Sequence, residues 1–560
     1  MGRHSRRPLL GAVLLVSTLG CEPLTPLEEG ESSAQAAHQR LFSELDFVVT
    51  RVSAPTSATP GSQFQVTVEV CNRGWMGGGT DLNLYFSDDA EISPADLWAA
   101  GAYVGYLSPG QCQSQEVGIT ASVPMDGAWY VGAYADPYGS QFESDATNNG
   151  LASEIMGIGY EADFVVTSVT GPSSATYGQS ITAQVTVCNH GTQADSAEVA
   201  VYLSANEFIH GDMPPAPPED YFLGSAPSGF LAPGQCSTRP VSGNAYPPPP
   251  GLDGPYFLGA IADPYASRYE LIEDNNSLAG ERIGLGNGPD FVITSVTGPS
   301  SATHGQSITA QVTVCNHGTQ ADSAEVAVYL SANEFILGDM PPAPPEDYFL
   351  GSVPSGFLAP GQCSTRPVSG NAYPPPPGLD GPYFLGAIAD PYASRYELIE
   401  DNNSLAGARL GLGNGPDFVI TSVSGPYSVK PGNAFTLSVG VCNRGQSPAT
   451  TEVELYLSAD PQVSAPTPPL PPEDFYLGTI SGISLNAGAC TTRSLSVTAP
   501  SVPEGTYYLS AIADPFNSNI ELIEDNNSKA GNLIGVGYTA DFVITSVTGP
   551  SSLLTGAPFA

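Results

Sequence analysis

Four times the chain repeats one set of oxygen-bearing residues: an Asp-Pro, a Glu seven residues after that Asp, then Asn-Asn at twelve and thirteen. The sets are Asp136, Glu143, Asn148 and Asn149; Asp263, Glu270, Asn275 and Asn276; Asp390, Glu397, Asn402 and Asn403; and Asp514, Glu521, Asn526 and Asn527. The last three sets add an acidic pair: Glu273-Asp274, Glu400-Asp401 and Glu524-Asp525. Calcium takes roughly six to eight oxygen ligands, and such a cluster could supply several. The spacing is not that of an EF-hand. The competing expectation is a hairpin turn, because Asn tolerates left-handed backbone and Asp-Pro starts turns.

Other catalytic chemistry is hard to find. The chain has no Gly-x-Ser-x-Gly, His-Glu-x-x-His, Cys-x-x-Cys or P-loop. Histidine occurs six times, and none recurs in every repeat: His190 and His317 stand where Arg73 and Arg444 stand elsewhere, and His304 replaces Tyr177. Gly284-Leu-Gly-Asn-Gly288 precedes a strand where a nucleotide-binding loop needs a helix, so it reads as a joint between repeats. Proline runs at 214–218 and 247–250 read as stiff connectors. An aromatic carbohydrate platform is not evident, since Trp75, Trp98 and Trp129 all lie in the first repeat.

Export is written at the N-terminus. Arg3, Arg6 and Arg7 precede an apolar run from Pro8 to Leu19, followed by Gly20-Cys21, the layout of a secretory signal. The run is too short to span a bilayer as a helix, which takes about 20 apolar residues. Ser17-Thr18-Leu19-Gly20-Cys21 resembles a bacterial lipobox, which implies a lipidated Cys21 and a polar tether to residue 45. Of nine cysteines, the eight after Cys21 form four regular pairs, so lipidation accounts for the odd one. Loss of residues 1–20 leaves 13 basic against 56 acidic residues, a balance that disfavours nucleic acid and anionic lipid as partners.

Self-similarity sets the architecture. Asp-Phe-Val-(Val/Ile)-Thr-(Arg/Ser)-Val begins at Asp46, Asp163, Asp290, Asp417 and Asp541. The units are therefore 46–162, 163–289, 290–416 and 417–540, with the start of a fifth at 541–560. Units two and three differ at only six positions. Within a unit the apolar period is two, as at Phe64, Val66, Val68 and Val70, which marks half-buried strands. Seven or so strands in each unit predict an all-β chain of tandem immunoglobulin-like sandwiches.

The expected disulfides lie inside single units: Cys71–Cys112, Cys188–Cys236, Cys315–Cys363 and Cys442–Cys490. The first Cys of each pair ends an alternating strand, and the second follows a Gly-containing turn and opens another. Cys442 comes one step after inward Val441, and Cys490 alternates with Leu495 and Val497, so both should face outward. Such a bond joins neighbouring strands at the rim of one sheet, and does not cross the core as in antibody domains.

The Asp-Phe-Val phrase, the Cys-Asn-x-Gly turn, Leu-Tyr-(Phe/Leu)-Ser, Gly-Gln-Cys and the closing Ala-Asp-Pro…Asn-Asn together resemble the CARDB family, cell-adhesion-related domains of bacteria. The resemblance implies an immunoglobulin-like sandwich in each unit. Such domains serve as adhesion modules or as accessory units of secreted enzymes. With the lipobox-like site and the near-identity of units two and three, the expectation is a non-catalytic cell-surface or outer-membrane lipoprotein that serves as a stalk or adhesion module toward a surface or matrix ligand. The alternative is the accessory region of a secreted peptidase or glycosidase whose catalytic domain lies beyond residue 560.

Overall fold

The computed structural model describes residues 45–211, 220–247, 252–338, 347–374, 378–463 and 474–539. The signal, Cys21, the tether, the fifth-unit residues and most of the proline runs lie outside them. In repeat one the strands are β1 (Phe47–Ser53), β2 (Ser57–Ala58), β3 (Gln63–Asn72), β4 (Gly78–Ser87), β5 (Leu97–Leu107), β6 (Cys112–Thr120), β7 (Gly127–Ala135) and β8 (Gly150–Ile158). They build a three-stranded sheet, β1-β3-β6, facing a five-stranded sheet, β2-β8-β7-β4-β5. Only the short β2–β8 pairing is parallel; the others are antiparallel. Both sheets recur in each of the next three repeats, so the chain is all-β, with four immunoglobulin-like sandwiches in tandem.

Alternation explains each core. Val66, Val68 and Val70 of β3 are fully buried between the sheets, as are Leu82 and Leu84 of β4 and Val131 and Ala133 of β7. The intervening residues point outward, as a period of two requires. The aromatic ring of the Asp-Phe-Val phrase is also fully enclosed: Phe47, Phe164, Phe291 and Phe418 are each 0% exposed. β1 carries a bulge between Val49 and Arg51, which resets its register against β3.

Cys71 and Cys112 sit directly opposite one another at the ends of β3 and β6, and they are bonded. Cys188–Cys236, Cys315–Cys363 and Cys442–Cys490 repeat the arrangement. Each bond therefore staples adjacent strands of the smaller sheet and does not cross the core. Loops of this length imply roughly 4 kcal/mol of stabilisation in the chain-entropy account.

The residue after the first cysteine has a separate task. Asn189 is 0% exposed, yet its carboxamide uses its full hydrogen-bonding capacity. Nδ2 donates to the carbonyls of Gln193 (2.7 Å) and Leu231 (3.0 Å), and Oδ1 accepts from the amides of Gly191 (2.9 Å) and Asp163 (3.2 Å). Asn72, Asn316 and Asn443 make the same four bonds. One side chain thus ties the first strand, the turn and the larger sheet at one end of the sandwich. The Gly two residues on is forced by close approach, since a Cβ on Gly191 would lie 2.5 Å from the Ala162 carbonyl carbon.

Replacing Asn189 with Ala leaves buried amides and carbonyls unpaired, each costing about 1–3 kcal/mol. The expected result is accelerated hydrogen exchange across residues 163–193, measured by mass spectrometry on the full chain, with residues 290–320 unchanged.

Candidate functional site

The Asp-Pro…Asn-Asn segment is the loop that leaves the third strand of the larger sheet, β7 in repeat one. Asp263 opens it with left-handed backbone, φ 44°, as do Asp136, Asp390 and Asp514. Its carboxylate closes the turn: Oδ1 accepts from Ser267 Oγ (2.6 Å) and Oδ2 from the Arg268 amide (2.7 Å). Asp136, Asp390 and Asp514 accept from the corresponding hydroxyl and amide. These carboxylates are the caps of a turn.

The Glu of the motif folds inward. Glu270 is 8% exposed; Oε2 accepts from the Phe164 amide and Oε1 from Asn276 Nδ2 (2.8 Å). The Leu271 amide donates to the Ala162 carbonyl, and Asn275 Nδ2 donates to Asp163 Oδ1 (3.0 Å). Glu273 Oε1 in turn accepts from the Glu270 amide (3.0 Å). Loop and first strand are strapped together, about a hundred residues apart in sequence. Glu397 and Glu521 repeat the strap with Phe291 and Phe418, and Glu143 holds Phe47 at 3.2 Å. Burial pushes Glu270, Glu397 and Glu521 up to about 8 and Glu143 up to about 7, against the pull of the donated amides.

The strap aims its next residue at the preceding repeat. Leu271 lies on Gly157 and Gly159, where a Cβ would come within 2.6 Å of its side chain. Leu398 lies on Gly284 and Leu522 on Gly411 in the same way, at 2.8 and 2.7 Å. These leucines are at most 4% exposed. Each joint is therefore a leucine seated where its neighbour has no side chain. Arg282 pairs with Asp401 at 2.7 Å and Arg409 with Asp525 at 2.6 Å across the next two joints. Backbone carbonyls of His190 and His317 accept from Thr56 and Ser173 of the preceding repeats, at 3.3 Å each, and that of Arg444 accepts from Ser301. Because the carbonyl makes the contact, His and Arg can exchange at this position.

Repeat one differs. Ser144 and Asp145 stand where Leu271 and Ile272 stand in repeat two, and both are exposed. Two polar residues thus stand in repeat one where the later repeats place the leucine and isoleucine of the joint.

All four oxygen sets therefore come together as turn caps, straps and joints. Among the described residues, no group of three or more His, Cys, Asp or Glu is placed to hold a metal ion. The strap leaves acceptors without partners in all four repeats: Oδ1 of Asn148, Asn149, Asn275, Asn276, Asn402, Asn403, Asn526 and Asn527, and Oε1 of Glu143, are buried with no donor. Sequence reasoning missed the hub at Asn189 and the leucine joint. The signal for the joint was present, in the Ser144-Asp145 departure at the one repeat with no described repeat before it.

The sequence profile of CARDB matches residues 44–153, 161–280, 288–407 and 415–531. Among solved structures, the CARDB domain of a Pyrococcus furiosus protein in complex with di-metal ions is 22% identical, covering 22% of this chain and 90% of that one, with a TM-score of 0.17. A solution NMR structure of the same domain is also 22% identical, covering 22% of this chain and 97% of that one, with a TM-score of 0.17. The native α2-macroglobulin of Escherichia coli is 11% identical, covering 88% of this chain and 32% of that one, with a TM-score of 0.18. No curated protein matches in sequence.

The raised carboxyls make stability depend on pH. An acid whose pKa is higher folded than unfolded binds its proton more tightly when folded, so stability is full below the unfolded value and falls as pH rises. The window runs from about 4.5 to about 8 for Glu270, Glu397 and Glu521. In the presence of chelator, the melting temperature should fall across that window, and Glu397→Gln should flatten the part due to repeat three. An unchanged profile in that variant would show that the strap does not titrate.

Proposed function

Because the chain belongs to the CARDB family, its profile matching all four repeats, we propose that it is a non-catalytic surface stalk, lipid-anchored through Cys21 and carrying its repeats outward as an adhesion module. The observation that supports this reading is the joint. Leu271, Leu398 and Leu522 are seated on backbone glycines of the preceding repeat, and ion pairs flank the second and third joints. A leucine buried at this depth contributes about 1.5–3 kcal/mol, which limits bending between neighbours. Near-identical copies joined this way add reach and multivalency, whereas one active site gains nothing from duplication.

The test uses the exported chain. Cys21→Ser should move it from the membrane fraction to the soluble fraction. In the released protein, Leu398→Asp should broaden the distance distribution measured by small-angle scattering, through a hinge at one joint. Continued membrane association would sink the anchor, and an unaltered scattering profile would sink the stiff stalk.

A second reading places calcium at the strap, and the orphaned Asn oxygens favour it, because a bound cation would satisfy them. Calcium should then raise the melting temperature beyond what magnesium does, through binding to the folded state. Repeat one, with Ala146-Thr147 in place of Glu273-Asp274, should respond least. Equal melting in calcium and in chelator removes this reading.

A further inference from the structure

Repeat one carries on the outer face of its larger sheet a tryptophan and two tyrosines around a buried asparagine, a combination that its sister repeats lack. The antiparallel register sets Trp98 opposite Tyr85, Gly101 opposite Asn83 and Tyr103 opposite Asp81, all pointing away from the core. On the far side of β4, Asn83 is opposite Tyr134. Trp98 is 60% exposed, Tyr103 63% and Tyr138 71%, so three aromatic rings stand in solvent around one patch of sheet. Between them lies Asn83, only 6% exposed, whose Nδ2 donates to Tyr85 Oη (3.1 Å) and Tyr138 Oη (3.5 Å). A Cβ on Gly101 would lie 3.2 Å from Asn83 Oδ1, so glycine leaves room beside that oxygen.

In repeat two the same register holds Ala200 and Ile261 where repeat one has Asn83 and Tyr134. There Ala200, Tyr202 and Ile209 close into a small apolar cluster, with Ile261 packed against it. Repeat three does the same with Ala327, Tyr329, Ile336 and Ile388. The outer sheet is thus apolar at its centre in repeats two and three, while repeat four places Glu454 there, with Tyr456 Oη donating to it. Exposed rings also stand at the Trp98 and Tyr138 positions of the sister repeats, as Phe222 and Tyr265, Phe349 and Tyr392, and Tyr476 and Phe516. Repeat one alone combines an uncharged carboxamide at the centre with a tryptophan and the added ring of Tyr103. A fold needs none of this. Exposed rings collected on one face mark a binding surface.

We propose that this face of repeat one binds a neutral glycan. Sugar rings present C–H faces that lie flat on aromatic rings, and hydroxyl rims that exchange hydrogen bonds with a carboxamide and phenols. Trp98 and Tyr103 supply the flat apolar faces, while Asn83 and the Tyr138 hydroxyl supply the polar groups. Charge selects neutral over acidic sugars: residues 74–238 contain no Lys or Arg, and Asp81 sits in the patch itself. An anionic polymer would meet repulsion with no cation to offset it. Tyrosine and tryptophan lose little entropy on ordering, which suits them as anchors for a weakly structured ligand.

Affinity electrophoresis of the full chain through gels containing laminarin, hydroxyethyl cellulose, mannan or glycol chitin tests the proposal, with alginate as the acidic control. At least one neutral polymer should retard the protein and alginate should not. Trp98→Ala and Tyr103→Ala should each weaken retardation at least about tenfold, a loss typical of a central aromatic anchor. Phe222→Ala, the register equivalent of Trp98 in repeat two, should have no effect. Unchanged melting temperatures would exclude misfolding as the cause, and Asn83→Ala offers a second, smaller change. Three results overturn the proposal: no retardation in any neutral gel, retardation unaffected by both aromatic variants, or a self-associated chain that Trp98→Ala converts to monomer.

Discussion

The buried backbone of Asp163 and Phe164 has to be satisfied without water, and the rest of the repeat is arranged around that demand. Phe164 is completely buried, so it takes its backbone amide inside with it. A buried amide without a partner costs free energy comparable to a lost hydrogen bond. Two side chains meet the need from opposite directions: Asn189 accepts from the Asp163 amide and Glu270 from the Phe164 amide. The His190 amide donates to the Asp163 carbonyl at 2.7 Å, and Asn275 reaches the Asp163 carboxylate. Residues far apart in the chain converge on one dipeptide, and this convergence closes the sandwich.

Closure at that point also decides how repeats meet. Once Glu270 is held against Phe164, the next residue can only point out of the end of the domain. Leucine there becomes a knob, and glycine on the last strand of the preceding repeat becomes its seat. Stacking and folding are therefore coupled through one loop. The cost is a carboxyl forced into a site that disfavours its charge, offset by the amides it accepts and by the apolar burial of its neighbour.

Repeat one shows how a duplicated unit diverges under these constraints. Phe47, Asn72 and Glu143 keep the closure, because without it the sandwich has no sealed end. Ser144 and Asp145 abandon the knob, and the outer sheet exchanges a packed apolar cluster for polar and aromatic residues. Positions that serve the interior are held, and positions that serve only contact with a neighbour or solvent are free to change.

By itself the sequence determined the repeats, the strands and the sandwich class. Those features are local or periodic: Val66, Val68 and Val70 alternate in any register, and the Asp-Phe-Val phrase recurs whatever it contacts. It also defined the candidate oxygen sets by spacing, while leaving open whether Asp263, Glu270 and Asn276 serve a cation or a turn. That Glu270 turns inward to Phe164 is a matter of long-range contact, because residues more than a hundred apart leave no periodic trace of their meeting. The same holds for Leu271, whose partner is the absence of a side chain at Gly157 in another domain. The aromatic face of repeat one was hidden for a related reason. Trp98 and Asn83 become neighbours only through antiparallel register and the bulge between Leu84 and Tyr85, which a linear sequence does not display.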